Sequence, residues 1–170
     1  MLRKKSLHAL LISDGGDKFL THYERILKIK QVFRGLKEPD KDPDSLLMPY
    51  CHLVAHAYAL AFDVAAVNGE KVFITETRTW WFGHFVIAKA SRYAHSWNLL
   101  RLSSGEEVIL DLIPDETCSM SPILVLSQNP SYTEPRDGVA KRCIAEYLAS
   151  EYQQCRIKYL ADEFKRIDGK

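Results

Sequence analysis

Three residues of this chain have types and an order that can do chemistry together: Cys51, His95 and Asp111. A thiol at the start of a helix, a histidine on a later strand and an aspartate on the next strand are, in that order, the parts of a nucleophilic Cys-His-Asp triad. Met48-Pro49 precedes the thiol. Proline presets a helical φ and biases the residue before it away from the helix, which predicts a helix starting near Pro49 with Cys51 in its first turn. Unpaired backbone N–H groups and the positive end of the helix dipole favour a thiolate there and can donate to an oxyanion. The competing reading is that Cys51 is a small core residue, since cysteine is among the most buried residue types.

The segment from His95 to Asp111 constrains the other two residues more tightly. A three-residue hairpin loop at Ser103-Ser104-Gly105, with Gly105 in the left-handed position, places Leu102 opposite Glu106 and Trp97 opposite Asp111. His95 then lies two residues from Trp97 on the same face, a diagonal neighbour of Asp111 at roughly 7–8 Å between backbones. A two-residue loop would put the pair on opposite faces. Asp111 interrupts the apolar run Val108-Ile-Leu-Asp-Leu-Ile113, where an unpaired carboxylate is costly, so it needs a partner, and an imidazole N–H is a suitable one.

The elements that must position these residues follow from periodicity. Asp17 to about Arg34 carries Phe19, Leu20, Tyr23, Ile26, Leu27 and Phe33 at helical spacing and ends at Gly35; Gly35 to Ser45 is a polar, proline-punctuated loop. Leu46 to Val67 is apolar and alanine-rich, a helix buried on most sides and closed by Asn68-Gly69. Strands are expected at Val72–Thr75, Trp80–Ala90, Ala94–Leu102, Glu107–Ile113 and Ile123–Leu126, then a loop from Pro130 to Asp137. One long amphipathic helix covers about 137–167, with Ile144, Tyr147, Leu148, Cys155, Tyr159 and Leu160 on its apolar spacing. Helices first, strands in the middle and a helix last make an α+β arrangement.

The residues Cys51, His95-Ser96-Trp97 and Asp111, with Pro114 three positions on, resemble the transglutaminase-like branch of the papain-like cysteine enzymes over about Pro49 to Pro114. Members of that branch carry a cysteine at a helix start, a histidine followed by a small residue and tryptophan, and an aspartate closely followed by proline. The separation of sixteen positions between His95 and Asp111 is typical of bacterial members. The resemblance implies a papain-like α+β fold in which a buried helix carrying the thiol packs on an antiparallel sheet, flanked by N- and C-terminal helices. The expectation is a single domain over 1–170, its catalytic core at about 46–127. Cys51 would be nucleophile, His95 general base and acid, and Asp111 the group orienting His95, with Trp97, His52 and Tyr50 contacting substrate. The implied activity is thiol-mediated chemistry on amide bonds of a peptide or protein: peptidase, deamidase or acyl transfer. Leu112-Ile113 stand between Asp111 and Pro114 where the pattern usually has Asp-Pro directly. No tryptophan precedes Cys51, and Gln31 is the only upstream glutamine available as an oxyanion donor. A member of the family that has lost catalysis, acting as a binding or scaffold protein, is the rival of a different class; arylamine acetyl transfer uses the same triad, but the chain is short for it.

The chain has 170 residues, and 23 Lys+Arg against 22 Asp+Glu leave a formal charge of +1, which gives no electrostatic reason to expect nucleic acid or anionic membrane as partner. The short apolar run Leu7–Ile12, which contains His8, is not read as a signal peptide, and no run reaches the ~18 apolar residues of a membrane span, so a cytoplasmic location is expected. Cys51, Cys118, Cys143 and Cys155 have no zinc-site spacing and read as free thiols. His52, His56 and Asp63 share a helix face, yet Asp63 is too far along the axis to close a metal site with both histidines. Neither metal nor cofactor is expected. Trp80-Trp81-Phe82 and His84 read as strand core, and the C-terminal helix is the candidate surface for homo-oligomers.

Overall fold

The computed structural model describes Arg25, Lys28 and residues 50–79, 86–102, 104–114, 123–135 and 138–169. The remainder of the predicted N-terminal helix, the loop at 35–45, Gln31, Met48-Pro49, Trp80-Trp81-Phe82, His84 and Cys118 lie outside the described residues, as does the side chain of Tyr50. Three helices and five strands are present among them: α1 (Tyr50–Phe62), β1 (Ala65–Thr79), β2 (Val86–Arg101), β3 (Glu107–Asp111), β4 (Ile123–Leu126), β5 (Tyr132–Thr133), α2 (Gly138–Ala149) and α3 (Glu151–Asp168). The class is α+β with one antiparallel sheet in the order β4-β3-β2-β1-β5.

The alanine-rich run forms a helix as expected, but the helix is shorter. It stops at Phe62, where Asp63 adopts the left-handed conformation (φ 53°) and the Val64 N–H donates back to the Ala59 carbonyl at 3.3 Å. That is the closure of a Schellman motif. Asn68 and Gly69, expected to end the helix, lie inside β1, opposite Ser96 and His95. The pairing energy of a long β1–β2 ladder outweighs the helical propensity of Val64 to Val67. Two further expectations are corrected. Tyr132 and Thr133, placed in a loop, add a fifth strand to the free edge of β1. The C-terminal helix is two helices: Ser150 leaves the helical conformation and its hydroxyl accepts the Gln153 N–H at 3.3 Å. A serine in that position caps the start of α3.

The sheet has two covered faces. On one, Leu100, Val108 and Leu110 meet Leu53, Val54, Ala57 and Tyr58 of α1, with Ile144, Leu148, Ile157, Leu160 and Phe164 of α2 and α3 completing the core. On the other, Trp97, Ile109 and Tyr132 form a smaller cluster with Val67, Leu99, Ile123 and Val125. Small residues let α1 lie close to the sheet: Ala55 and Ala57 are buried, and Asn98 of β2 donates its side-chain amide to the Ala55 carbonyl at 2.8 Å. Of the apolar positions expected on the C-terminal helix, Cys155 and Tyr159 face outward, and Tyr152 is exposed with Tyr159. Among the described residues no helix is long and apolar enough to cross a membrane.

Candidate functional site

The hairpin sets the site. Leu102 N–H donates to Glu106 O at 2.8 Å, Gly105 is left-handed (φ 83°), and Asn98, Leu99, Leu100 and Arg101 face Leu110, Ile109, Val108 and Glu107. This is the register expected for a three-residue loop. It brings His95 Nε2 to 2.9 Å from Asp111 Oδ2. Both side chains are almost fully buried. The approach is short but the ring N–H is off line, and neither His95 nitrogen has an aligned hydrogen-bond partner.

Asp111 has firmer partners than His95. Lys71 Nζ and Tyr132 Oη each donate to Oδ2 at 2.7 Å, and the Ile113 N–H donates to Oδ1 at 3.2 Å. Lys71 also donates to the Pro114 carbonyl, which Tyr93 Oη approaches at 3.4 Å. Burial alone would raise the Asp111 pKa; the His95 contact and the Lys71 ammonium outweigh it and hold the carboxyl below its ordinary range. Lys71 and Tyr132 are directly opposed on β1 and β5, and the sheet must curl for an edge-strand tyrosine to reach a carboxylate on β3. Gly69 permits the curl. A Cβ there would sit 2.3 Å from Trp97 Cη2 and 2.5 Å from the Thr133 carbonyl oxygen. Only glycine, with no Cβ, lets the indole lie across β1 beneath β5. Trp97 is thereby core, edge-on to Tyr132 and stacked beside His95, and offers little surface to a substrate.

Cys51 lies in the first turn of α1, on the helix-covered side of the sheet. It is 5% exposed. Burial pushes its thiol up to about 12, against the opposing pull of the Ser96 N–H; the Asp111 charge raises it further, and the N–H groups of His52 and Cys51 itself lower it. The expectation of a depressed thiol pKa from the helix start is therefore reversed, because desolvation of a thiolate exceeds what three backbone dipoles return. Cys51 neighbours the backbone that follows His95, but no hydrogen bond joins the two side chains.

His52 and His56 are bound elsewhere. Ser96 Oγ donates to Asn68 Oδ1 at 2.5 Å, and His56 Nε2 meets the same Asn68 oxygen at 3.0 Å. With its one proton committed to Asn68, the Ser96 hydroxyl can only accept from His52 Nδ1, so His52 is the donor in that contact. Burial, with the neighbouring His95 and His56, lowers the His52 pKa to about 4, which keeps it neutral. His52 is thus buried between α1 and the sheet and does not line a substrate surface. Asp63 is the left-handed residue that follows the last residue of α1, and no group of three or more metal-binding side chains is present among the described residues.

Sequence reasoning missed Lys71, Tyr132 and Asn68. No local pattern marks them: Lys71 and Tyr132 meet Asp111 through the curl of the sheet, and Asn68 meets Ser96 through the pairing of β1 with β2. Comparison of the chain with protein-family models, with curated proteins and with solved structures returns no match.

Proposed function

We propose that this protein performs thiol-dependent acyl chemistry on amide bonds of a peptide or protein, as a cysteine peptidase, a deamidase or a transglutaminase-type acyltransferase. Cys51 attacks the amide carbon, His95 takes the thiol proton and returns it to the leaving amine, and water or a second amine resolves the thioester. Asp111 orients the imidazole. The single observation that carries the reading is the buried approach of His95 to Asp111 at 2.9 Å, on a strand whose next residue, Ser96, has its backbone N–H acting on the Cys51 thiol. Catalytic hydrogen bonds in free enzymes are often loose and tighten when substrate binds, which fits the unaligned His95. The resemblance of Cys51, His95-Ser96-Trp97 and Asp111 to the transglutaminase-like pattern favours the same chemistry.

One observation favours a second reading, a non-catalytic binding or scaffold protein that retains the arrangement: Cys51 is nearly inaccessible and its thiol is pushed up to about 12. Exposed Tyr152 and Tyr159 on α3 would then be the contact surface. The pH profile of Cys51 alkylation by iodoacetamide, followed by mass spectrometry in the parent protein and in His95→Gln, decides between them. Catalysis requires labelling at neutral pH that falls about tenfold or more in His95→Gln. Labelling that rises only at strongly alkaline pH, equally in both proteins, refutes it. Exposed Cys143 and Cys155 are internal controls.

A further inference from the structure

Oδ2 of Asp111 is crowded. A carboxylate oxygen offers two lone-pair directions. Three donors nevertheless converge on this one: Lys71 Nζ at 2.7 Å, Tyr132 Oη at 2.7 Å and His95 Nε2 at 2.9 Å. The two closest satisfy hydrogen-bond geometry, while the third does not, and both His95 nitrogens remain without an aligned partner. The second oxygen, Oδ1, takes the Ile113 N–H at 3.2 Å instead. We infer that Lys71 and Tyr132 are positioning residues of the proposed site: by taking the two lone-pair directions of Asp111 Oδ2, they set how tightly Asp111 holds the His95 ring. The inference rests on reading His95 and Asp111 as the working pair.

The surroundings of His95 make these two residues the available controls. Lys71 from β1 meets it at the shared Asp111 oxygen, Tyr93 and Trp97 flank it on β2, Asp111 faces it from β3, Tyr132 from β5, and His52 and Cys51 lie on the α1 side. His52 is kept neutral and is engaged by Ser96. Among these groups, Lys71 and Tyr132 alone donate to the oxygen that His95 approaches. Lys71 is steadied by a second acceptor, the Pro114 carbonyl, and its ammonium stands 5.1 Å from the centre of the Tyr132 ring. A cation held over a ring face is attracted to it, so the two donors support each other.

Tyr132→Phe removes one donor and keeps the ring that packs on Trp97. With a lone pair freed, the His95 N–H swings onto Oδ2 and shares more of its proton with the carboxylate. The Nε2 proton should move downfield in the NMR spectrum and exchange more slowly with water. The imidazolium is then better stabilised, so the pH midpoint of Cys51 alkylation falls, with about tenfold more labelling per pH unit of displacement at a fixed pH below the parent midpoint. Lys71→Met should move both readouts the same way and further, and Lys71→Arg, which restores a charged donor, should return them towards the parent. If Lys71→Met does not fold, Tyr132→Phe decides. A purely structural role would lower the melting temperature and leave the His95 proton where it is. A folded Tyr132→Phe with the parent Nε2 proton position overturns the inference. Loss of the thiol reading alone looks different: the Nε2 proton still moves in Tyr132→Phe, while Cys51 labelling is indifferent to His95→Gln.

Discussion

Asp111→Asn should be among the most damaging single-atom changes available to this fold. The carboxylate is fully buried, and its Lys71 partner has a side chain only 11% exposed, so the substitution strands an ammonium with one carbonyl, that of Pro114, as its remaining firm acceptor. An asparagine cannot serve both sides of the site. Its one oxygen either meets Lys71, Tyr132 and His95, turning NH₂ against the Ile113 N–H, or meets Ile113 and turns NH₂ against three donors. Breaking a buried pair by removing one partner costs about 3–5 kcal/mol. For a chain of this size each kcal/mol moves the melting temperature by about 2–4 °C, so a fall of roughly 6–20 °C is expected. The double variant Lys71→Met/Asp111→Asn should recover part of that loss, because no charge is then left unpaired. The acid limb supplies an independent check. Since the folded state holds the Asp111 carboxyl below its ordinary value of 3.8, its contribution is present above about pH 4 and is lost as the pH falls through the folded value. The stability gap between parent and Asp111→Asn should therefore be constant from neutrality to about pH 4 and shrink below it. Calorimetry across that range measures both effects. A variant within about 1 kcal/mol of the parent, or a gap that does not close in acid, would refute the buried ion pair as the anchor of this site.

Two further outcomes test the frame that holds the site. Gly69→Ala puts a methyl group against Trp97 and the Thr133 backbone carbonyl, and because backbone cannot swing aside, β5 must shift. A loss of about 1–3 kcal/mol or more in urea unfolding, with an altered near-UV signal of Trp97, is expected. Asp63→Gly relieves a left-handed non-glycine residue at the end of α1. It should gain up to about 1 kcal/mol in the same assay, whereas a loss would mean that the aspartate side chain has a role of its own.

Local physics was legible in the order of the residues. The α+β class followed from helical periodicity giving way to β-branched strands, and the hairpin at Ser103 to Gly105 was readable because a left-handed glycine and the period of two leave one register that puts His95 and Asp111 on the same face. The short range of those rules is their strength. The end of α1 was misplaced for the complementary reason. Asn68-Gly69 looks like a helix stop, but partners far along the chain, Ser96 and His95 on β2, drew it into a strand, and Gly69 is there to admit Trp97 rather than to end a helix. The break at Ser150 was written locally, as Ser150 three residues before Gln153, yet apolar spacing running through it made two helices read as one.

The protonation and partners of the site belonged to the tertiary structure. That Asp111 needed a partner follows from a carboxylate in an apolar run. That its firm partners are Lys71 and Tyr132, forty residues before and twenty-one after, depends on a sheet curled enough to bring β1 and β5 over β3. Likewise the helix-start position of Cys51 argues for a lowered thiol pKa, a dipole effect that acts along the chain, while the burial that overrides it is produced by every element packed around the helix. Spacing along the chain determines which side chains share a face, but desolvation and the competition of donors for one oxygen are sums over neighbours in space, and only the folded chain supplies those neighbours.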